Sequence, residues 1–393
     1  MATAQRGWSR IFGLELLDDR YPVLHGLRVF GIVSVLQFHV TYLFDIGRLP
    51  VTPWGAATSY KVFFGMDLFF VLSGFLIGSI LFHSVEKLGT LDVKRFYLRR
   101  VLRTFPPYYV VLTVLALTQH LSAGQRHNLV WEYAFLTNFR NLDPQSVVMP
   151  WGWSLGLEEQ FYLTVPLFFW LLLRLHKPAA RVAFLAVVFA SGAGVRFAIW
   201  ASRVAWSETD LRNGLYFSTH GRYDTLVAGI LIALVHRQYG ARMTTLLAHP
   251  RVRGFFLVGI LCCLWFLMDP LLFGLRGVQP MHLFAWGTVT GIMYFLLVML
   301  LLHGPRTVIG AVLSQPIFRR IATLGYGVYL AHVPICVHVA FPVARWASAK
   351  GTPMVVLWPL TVLGLFGLSL IAAYILHLLV ERPMLRLRDR LTT

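Results

Sequence analysis

FAWGTVTGIMYFLLVMLLL, residues 284–302, carries no formally charged side chain in 19 positions. A helix needs about 20 mostly apolar residues to cross the hydrocarbon core of a bilayer. A helix on a soluble core keeps one polar face instead. This run has none, so it reads as a transmembrane span. Met354–Leu376 repeats the pattern without a charge, and residues 321–344 hold only His332 and His338 as ionisable groups. Working outward gives ten candidate spans, about 24–44, 62–82, 106–121, 155–173, 182–201, 223–236, 255–271, 283–302, 322–342 and 355–379. The third and sixth are short and read as tilted, broken or re-entrant.

Composition agrees. Of 393 residues 57% are hydrophobic and 13% charged, with a mean hydropathy of +0.65. Soluble domains carry roughly 45–50% apolar and about 25% charged residues. An ordinary cytosolic domain and a disordered chain are both excluded. The expected fold is all-α, a polytopic membrane protein of about ten helices forming one membrane domain over 1–393, with no soluble domain attached.

The net charge of +18 is spread between the apolar runs rather than gathered in one patch, which argues against a nucleic-acid partner. With ten spans, 23 of the 35 Lys and Arg fall in loops on one side and 9 on the other. That bias puts both termini in the cytoplasm, and the protein in the cell (inner or plasma) membrane. The opening MATAQRGWSR lacks a signal-peptide core. Cys262, Cys263 and Cys336 lie in apolar runs and form neither a disulfide framework nor a zinc pattern. No metal site is expected.

Ionisable groups inside spans are costly and usually line polar pathways. Arg28 and His39 are eleven residues apart in the first span, within roughly 20° of one face and about 16 Å along the axis. Asp67 opens the second span. Glu158 and Glu159 open the fourth, with Tyr162 on the face of Glu158. Arg222 and Asp224 start the sixth, and His332 sits mid-span in the ninth. Each also has a bland reading. Arg28 snorkels to phosphates, His39 and His332 are satisfied buried imidazoles, and Asp67 and Glu158 favour helix N-termini. Arg222 and Asp224 pair with each other, and Trp151 and Trp153 belong to an interfacial belt. Arg95, Arg99 and Arg103 form one cytoplasmic helix face, read either as topology determinants or as a phosphate-binding stripe.

The ordered motifs are more specific than any one residue. LHGLRVFGIVSVLQFH, GMDLFFVLSGFLIGSIL, FYLRRVLRTFPPYYV, WSLGLEEQFYL, RYDTLVAGILIA, LGYGVYLAHVP and the terminal ERP follow one another along nearly the whole chain. In this the chain resembles the acyltransferase-3 (OafA-type) family of integral membrane acyltransferases. It departs from the family pattern in having His25 where an Asp usually precedes Gly-Leu-Arg, and Gly325 where a Ser is usual. Some members carry a fused extracytoplasmic esterase-like domain; here such an enzyme is expected to be a separate chain.

The resemblance implies transfer of an acyl group, often acetyl, from acyl-CoA to a hydroxyl of a glycan, lipid or secondary metabolite, with no tightly bound cofactor. It gives functional weight to Arg28, His39 and Glu158. His39 is then the expected general base, because imidazole titrates near working pH. Glu158, or failing that Asp67, is the expected carboxylate on its other nitrogen, as in hydrolase triads. Arg28, Arg99 and Arg103 are the expected ligands of CoA phosphates. Arg222, Asp224, His332, Trp153 and Tyr162 complete the candidate substrate-binding set. A covalent acyl-His39 route stays open. So does a transporter or flippase using the same charges, although the paired broken helices of transporters are missing from the sequence.

Overall fold

The computed structural model describes residues 14, 16–51, 55, 64–140, 142–202, 206–268 and 280–392. The expected span edges at 62–63 and 269–271 lie outside the described residues. Among the described residues the secondary structure is helical, without strands.

The helices follow local signals. α1 (Pro22–Ile46) begins with Pro22, whose missing N–H costs nothing in a first turn. α2 is Gly65–Leu88. α3 (Val93–Thr118) is capped by Asp92, whose side chain accepts from the Arg95 N–H. α4 (Ala123–Tyr133) opens on a reciprocal Ser122–Gln125 capping box. α5 (Trp153–Leu173), α6 (Pro178–Ala201), α7 (Tyr223–Ala248), α8 (Pro250–Leu267) and α9 (Pro280–His303) follow. Two short helices, α10 (Val308–Leu313) and α11 (Pro316–Thr323), precede α12 (Gly325–Ala349) and α13 (Met354–Leu391). α12 and α13 each contain a π turn, at Cys336–Ala340 and His377–Glu381.

Eight of these, α1, α2, α3, α6, α8, α9, α12 and α13, are long and apolar enough to cross a membrane. α5 and α7 have 21 and 26 residues, the length a crossing needs, but are not among these eight. The expectation of short third and sixth spans is corrected. α3 and α7 are continuous helices of 26 residues, about 39 Å each. Their polar halves, KRFYLRR and HRQYGAR, hid the true length from a hydropathy reading.

The chain divides into two compact units. The first comprises Met1–Met66, Leu98–Val111 and Thr307–Thr393. In it α1 packs on α10, α11, α12 and α13, and α12 packs along α13. Gly26 lets the Leu313 backbone lie against α1, and Gly327 does the same for Ala373 between α12 and α13. Trp358 donates its indole N–H to Thr41 Oγ1 at 2.9 Å, and the Tyr326 hydroxyl donates to the Thr104 carbonyl at 2.9 Å.

The second unit comprises Asp67–Tyr97 and Leu112–Arg306. Its close crossing joins α2 to α7. A Cβ on Gly74 would overlap the Leu226 carbonyl, and one on Gly229 would overlap the Val71 carbonyl. Small residues allow such backbone approach within membranes. α6 and α9 flank α7, and α8 lies along α9.

Replacing Gly229 by Val drives a side chain into backbone and is expected to destabilise the chain by about 3 kcal/mol or more. Gly367, with no atom within 4 Å of its added Cβ, is the control. Gly367→Ala is expected to be neutral or to stabilise by up to about 1 kcal/mol. Thermal melts in detergent compare the two.

Candidate active site

In the first unit His39 on α1 meets His332 on α12. Their ring centroids are 4.8 Å apart with planes at 75°, and His332 Nε2 lies 3.4 Å from His39 Nδ1. His39 Nδ1 is also 2.9 Å from the Val35 carbonyl one turn earlier. His332 Nδ1 is 2.6 Å from the Tyr329 carbonyl. His332 is fully buried, whereas His39 is only half-buried. The expected carboxylate on the His39 ring is therefore not what occupies Nδ1. A backbone carbonyl and a second imidazole stand there.

Arg28 lies on the same helix, half-buried, and His25 sits one turn before it. His25 is 4% exposed with its Nε2 3.6 Å from Asp19 Oδ1. On α3, Arg99 donates to Thr392 Oγ1 at 2.9 Å and lies 3.8 Å from Asp389. Part of the expected cationic stripe is thus engaged by the C-terminal helix. Arg103 is on the same face one turn further on.

In the second unit the expected Arg222–Asp224 pair is replaced by two others. Arg222 Nη1 donates to Asp67 Oδ1, and both side chains are fully buried. Asp224 pairs instead with Arg196 on α6, at 2.8 Å, again with both fully buried. Residues two apart at the start of a helix point about 200° apart, so each reaches a different neighbour. The Arg196 guanidinium also donates to the Phe284 and Gly221 carbonyls and to Thr288, each at 2.8 Å. Thr288 in turn donates to Asp224 Oδ2 at 2.9 Å. Gly192 makes room for this carboxylate. Asp224 thus sits in a closed network that ties α6, α7 and α9 together.

Arg222 is enclosed by aromatic rings. Its guanidinium carbon lies 3.9 Å from the Tyr216 ring centroid, 4.2 Å from Trp286, 5.2 Å from Trp153 and 5.6 Å from Phe70. Cation–π attraction is strongest when desolvated, as here. Trp153 and Trp151 are each only 7% exposed, packed inside the protein. Trp153 is one wall of the Arg222 box.

Glu158 accepts a hydrogen bond from the Tyr162 hydroxyl at 3.2 Å, and Ser73 Oγ lies 2.7 Å from that same hydroxyl. The i, i+4 relation read from the sequence is thus a real contact, extended across to α2. In the same unit, Glu132 on α4 accepts from the Val148 and Met149 N–H groups at 2.8 Å each. Burial pushes the Glu132 carboxyl above its ordinary range, against the pull of these two donors.

Arg196 and Glu132 were missed by sequence reasoning. Arg196 had a signal, a lone Arg in the apolar run SGAGVRFAIW beside small residues. Glu132, in a polar loop helix, had none.

The family model for an acyltransferase domain matches residues 21–378. The chain belongs to the acyltransferase-3 family. Its members are integral membrane proteins, and this one is multi-pass. The chain is similar to the peptidoglycan O-acetyltransferase OatA of Listeria monocytogenes, 26% identical over 328 residues, covering 80% of this chain and 49% of the relative. It is also similar to the putative peptidoglycan O-acetyltransferase YrhL of Bacillus subtilis, 28% identical over 340 residues, covering 80% and 48%. With the O-acetyltransferase OatA of Staphylococcus aureus it shares 26% over 339 residues, covering 83% and 52%. The chain therefore spans about half the length of the curated relatives it matches. No solved structure matches it.

Double-mutant cycles test the re-paired charges. Asp67→Asn with Arg222→Gln, and Asp224→Asn with Arg196→Gln, are each expected to couple by about 1–3 kcal/mol in melting experiments. Asp224→Asn with Arg222→Gln should couple clearly less. For Glu132 the raised folded value means that the folded chain holds this proton more tightly than the unfolded chain. Its contribution to stability therefore falls as pH rises from the ordinary carboxylate range through the raised value. Glu132→Gln should flatten that dependence, and should cost about 1–3 kcal/mol because one N–H loses its acceptor.

Proposed function

We propose that this protein is a membrane O-acyltransferase that moves an acetyl group from acyl-CoA to a hydroxyl of a cell-surface glycan, with His39 as general base. The observation that carries the reading is the half-buried His39 imidazole, whose Nδ1 is engaged by the Val35 carbonyl. A carbonyl only accepts, so Nδ1 bears the hydrogen and Nε2 keeps the lone pair. The names of the curated relatives support acetyl as the group and a glycan as the acceptor.

A thioester is already activated, so little more than proton transfer and charge stabilisation is required. The acceptor O–H gives its proton to His39 Nε2 while its oxygen attacks the thioester carbonyl carbon. A C–O bond forms, the C–S bond breaks, and the departing thiolate takes the proton from the imidazolium. Arg28 and Arg103, with Arg99 where the C-terminal helix releases it, hold the CoA phosphates, since Arg gives bidentate contacts to phosphate. The family resemblance gives functional weight to Glu158 as well, and within the second unit Tyr162 donates to it. Arg222, Asp67 and Asp224 support the aromatic box and the helix network, with Trp153 and Tyr216 walling the Arg222 guanidinium. The topology that suits a cytoplasmic donor has ten spans and both termini in the cytoplasm.

His39→Ala is expected to abolish thiol release from acetyl-CoA, and to remove the acetyl mass increment from surface glycans of cells expressing the protein. Its melting temperature should match that of the parent within a few degrees. Retained transfer by the folded variant would refute the reading. Glycan acetylation without thiol release would instead point to another donor.

A further inference from the structure

The two imidazoles of the first unit constrain each other. His332 Nδ1 stands 2.6 Å from the Tyr329 carbonyl, a distance that requires a hydrogen on Nδ1. Neutral His332 then has a bare Nε2. That nitrogen faces His39 Nδ1 at 3.4 Å, while the Val35 carbonyl faces the same Nδ1 at 2.9 Å. Both neighbours of His39 Nδ1 are acceptors, so a single neutral arrangement satisfies them. His39 carries its hydrogen on Nδ1, shared between a carbonyl and an imidazole, and presents Nε2 outward.

We infer that His332 is the positioning residue for His39, performing the task that the sequence motifs led one to expect of a carboxylate. This rests on the general-base reading of His39. The T-shaped contact at 75° fixes the ring plane of the half-buried imidazole against a fully buried one. When His39 takes up a proton on Nε2, its Nδ1–H becomes a charge-assisted donor, and the bond to His332 Nε2 strengthens. A neutral imidazole suits this position because an ionised carboxylate mid-span would carry a desolvation cost of its own. The local helix is adapted to it. Pro334 gives no N–H to the preceding turn, and a π turn follows at Cys336–Ala340, a departure from regular pitch that recurs at functional sites. Among the described residues of the first unit, the groups placed against the His39 ring are the Val35 carbonyl, His332 and the Phe38 ring, at 5.4 Å between centroids, and of these three His332 is the titratable one.

The test uses the full chain in lipid nanodiscs with ¹⁵N-labelled histidine, the His39 resonances being assigned by their loss in His39→Gln. The parent should show His39 as the single form with protonated Nδ1 and bare Nε2. His332→Leu should add a population protonated on Nε2, because one carbonyl alone no longer holds the ring. His332→Gln, whose amide oxygen can accept, should restore the single form. In turnover with acetyl-CoA and soluble peptidoglycan fragments as probes, His332→Leu should lower kcat about 10–100-fold at unchanged KM. His332→Gln should recover most of the loss. An unchanged His39 spectrum in His332→Leu overturns the inference, as does a kcat insensitive to it. If His39→Ala remained active, the general-base reading would fall by itself, and the spectra would still decide whether His332 orients His39.

Discussion

An ionised side chain within a bilayer must be paired or must reach water, and the second unit of this protein is organised by that constraint. Two Arg–Asp pairs, Arg222–Asp67 and Arg196–Asp224, are completely enclosed. The first links α2 to α7, distant in sequence, and the second links the consecutive helices α6 and α7. Breaking such a pair leaves an uncompensated buried charge, which is more damaging than the net worth of the pair. The pairs therefore specify which helices meet. The glycines at 74 and 229 make the meeting close enough, by removing the side chains that would hold the α2 and α7 backbones apart.

The first unit solves a different problem. It carries imidazoles rather than fixed charges mid-span, and these can be satisfied while neutral. Backbone carbonyls one turn away supply acceptors for His39 and His332 at no cost in charge. What remains is an unshared lone pair on a half-buried ring. That feature is suited to proton abstraction, and family membership gives the chemistry in which a base is wanted.

Much of this was legible in the sequence, for reasons that differ by element. Uncharged runs such as 284–302 had one physical interpretation, and the all-α fold followed. The small residues at Gly74 and Gly78 announced close packing, and Glu158–Tyr162 followed from helical periodicity. Partner choice was not legible. Arg222 and Asp224 are two residues apart and invite pairing, yet the helix start turns them towards different helices. Trp153 has the composition of an interfacial residue, yet it walls the Arg222 box, because its partners Tyr216 and Trp286 come from remote segments. The His39–His332 contact joins residues 293 apart in sequence, and no local pattern encodes it.

If His39 is the base, its Nε2 receives the proton of the acceptor hydroxyl. The most direct measurement is an experimental structure of the chain with a non-hydrolysable acyl-CoA analogue and a glycan fragment. The account predicts the acceptor oxygen within about 3.2 Å of His39 Nε2 and next to the acyl carbonyl carbon. A ligand bound with its reactive carbon far from that nitrogen, or an Nε2 packed against apolar side chains in the complex, would contradict it.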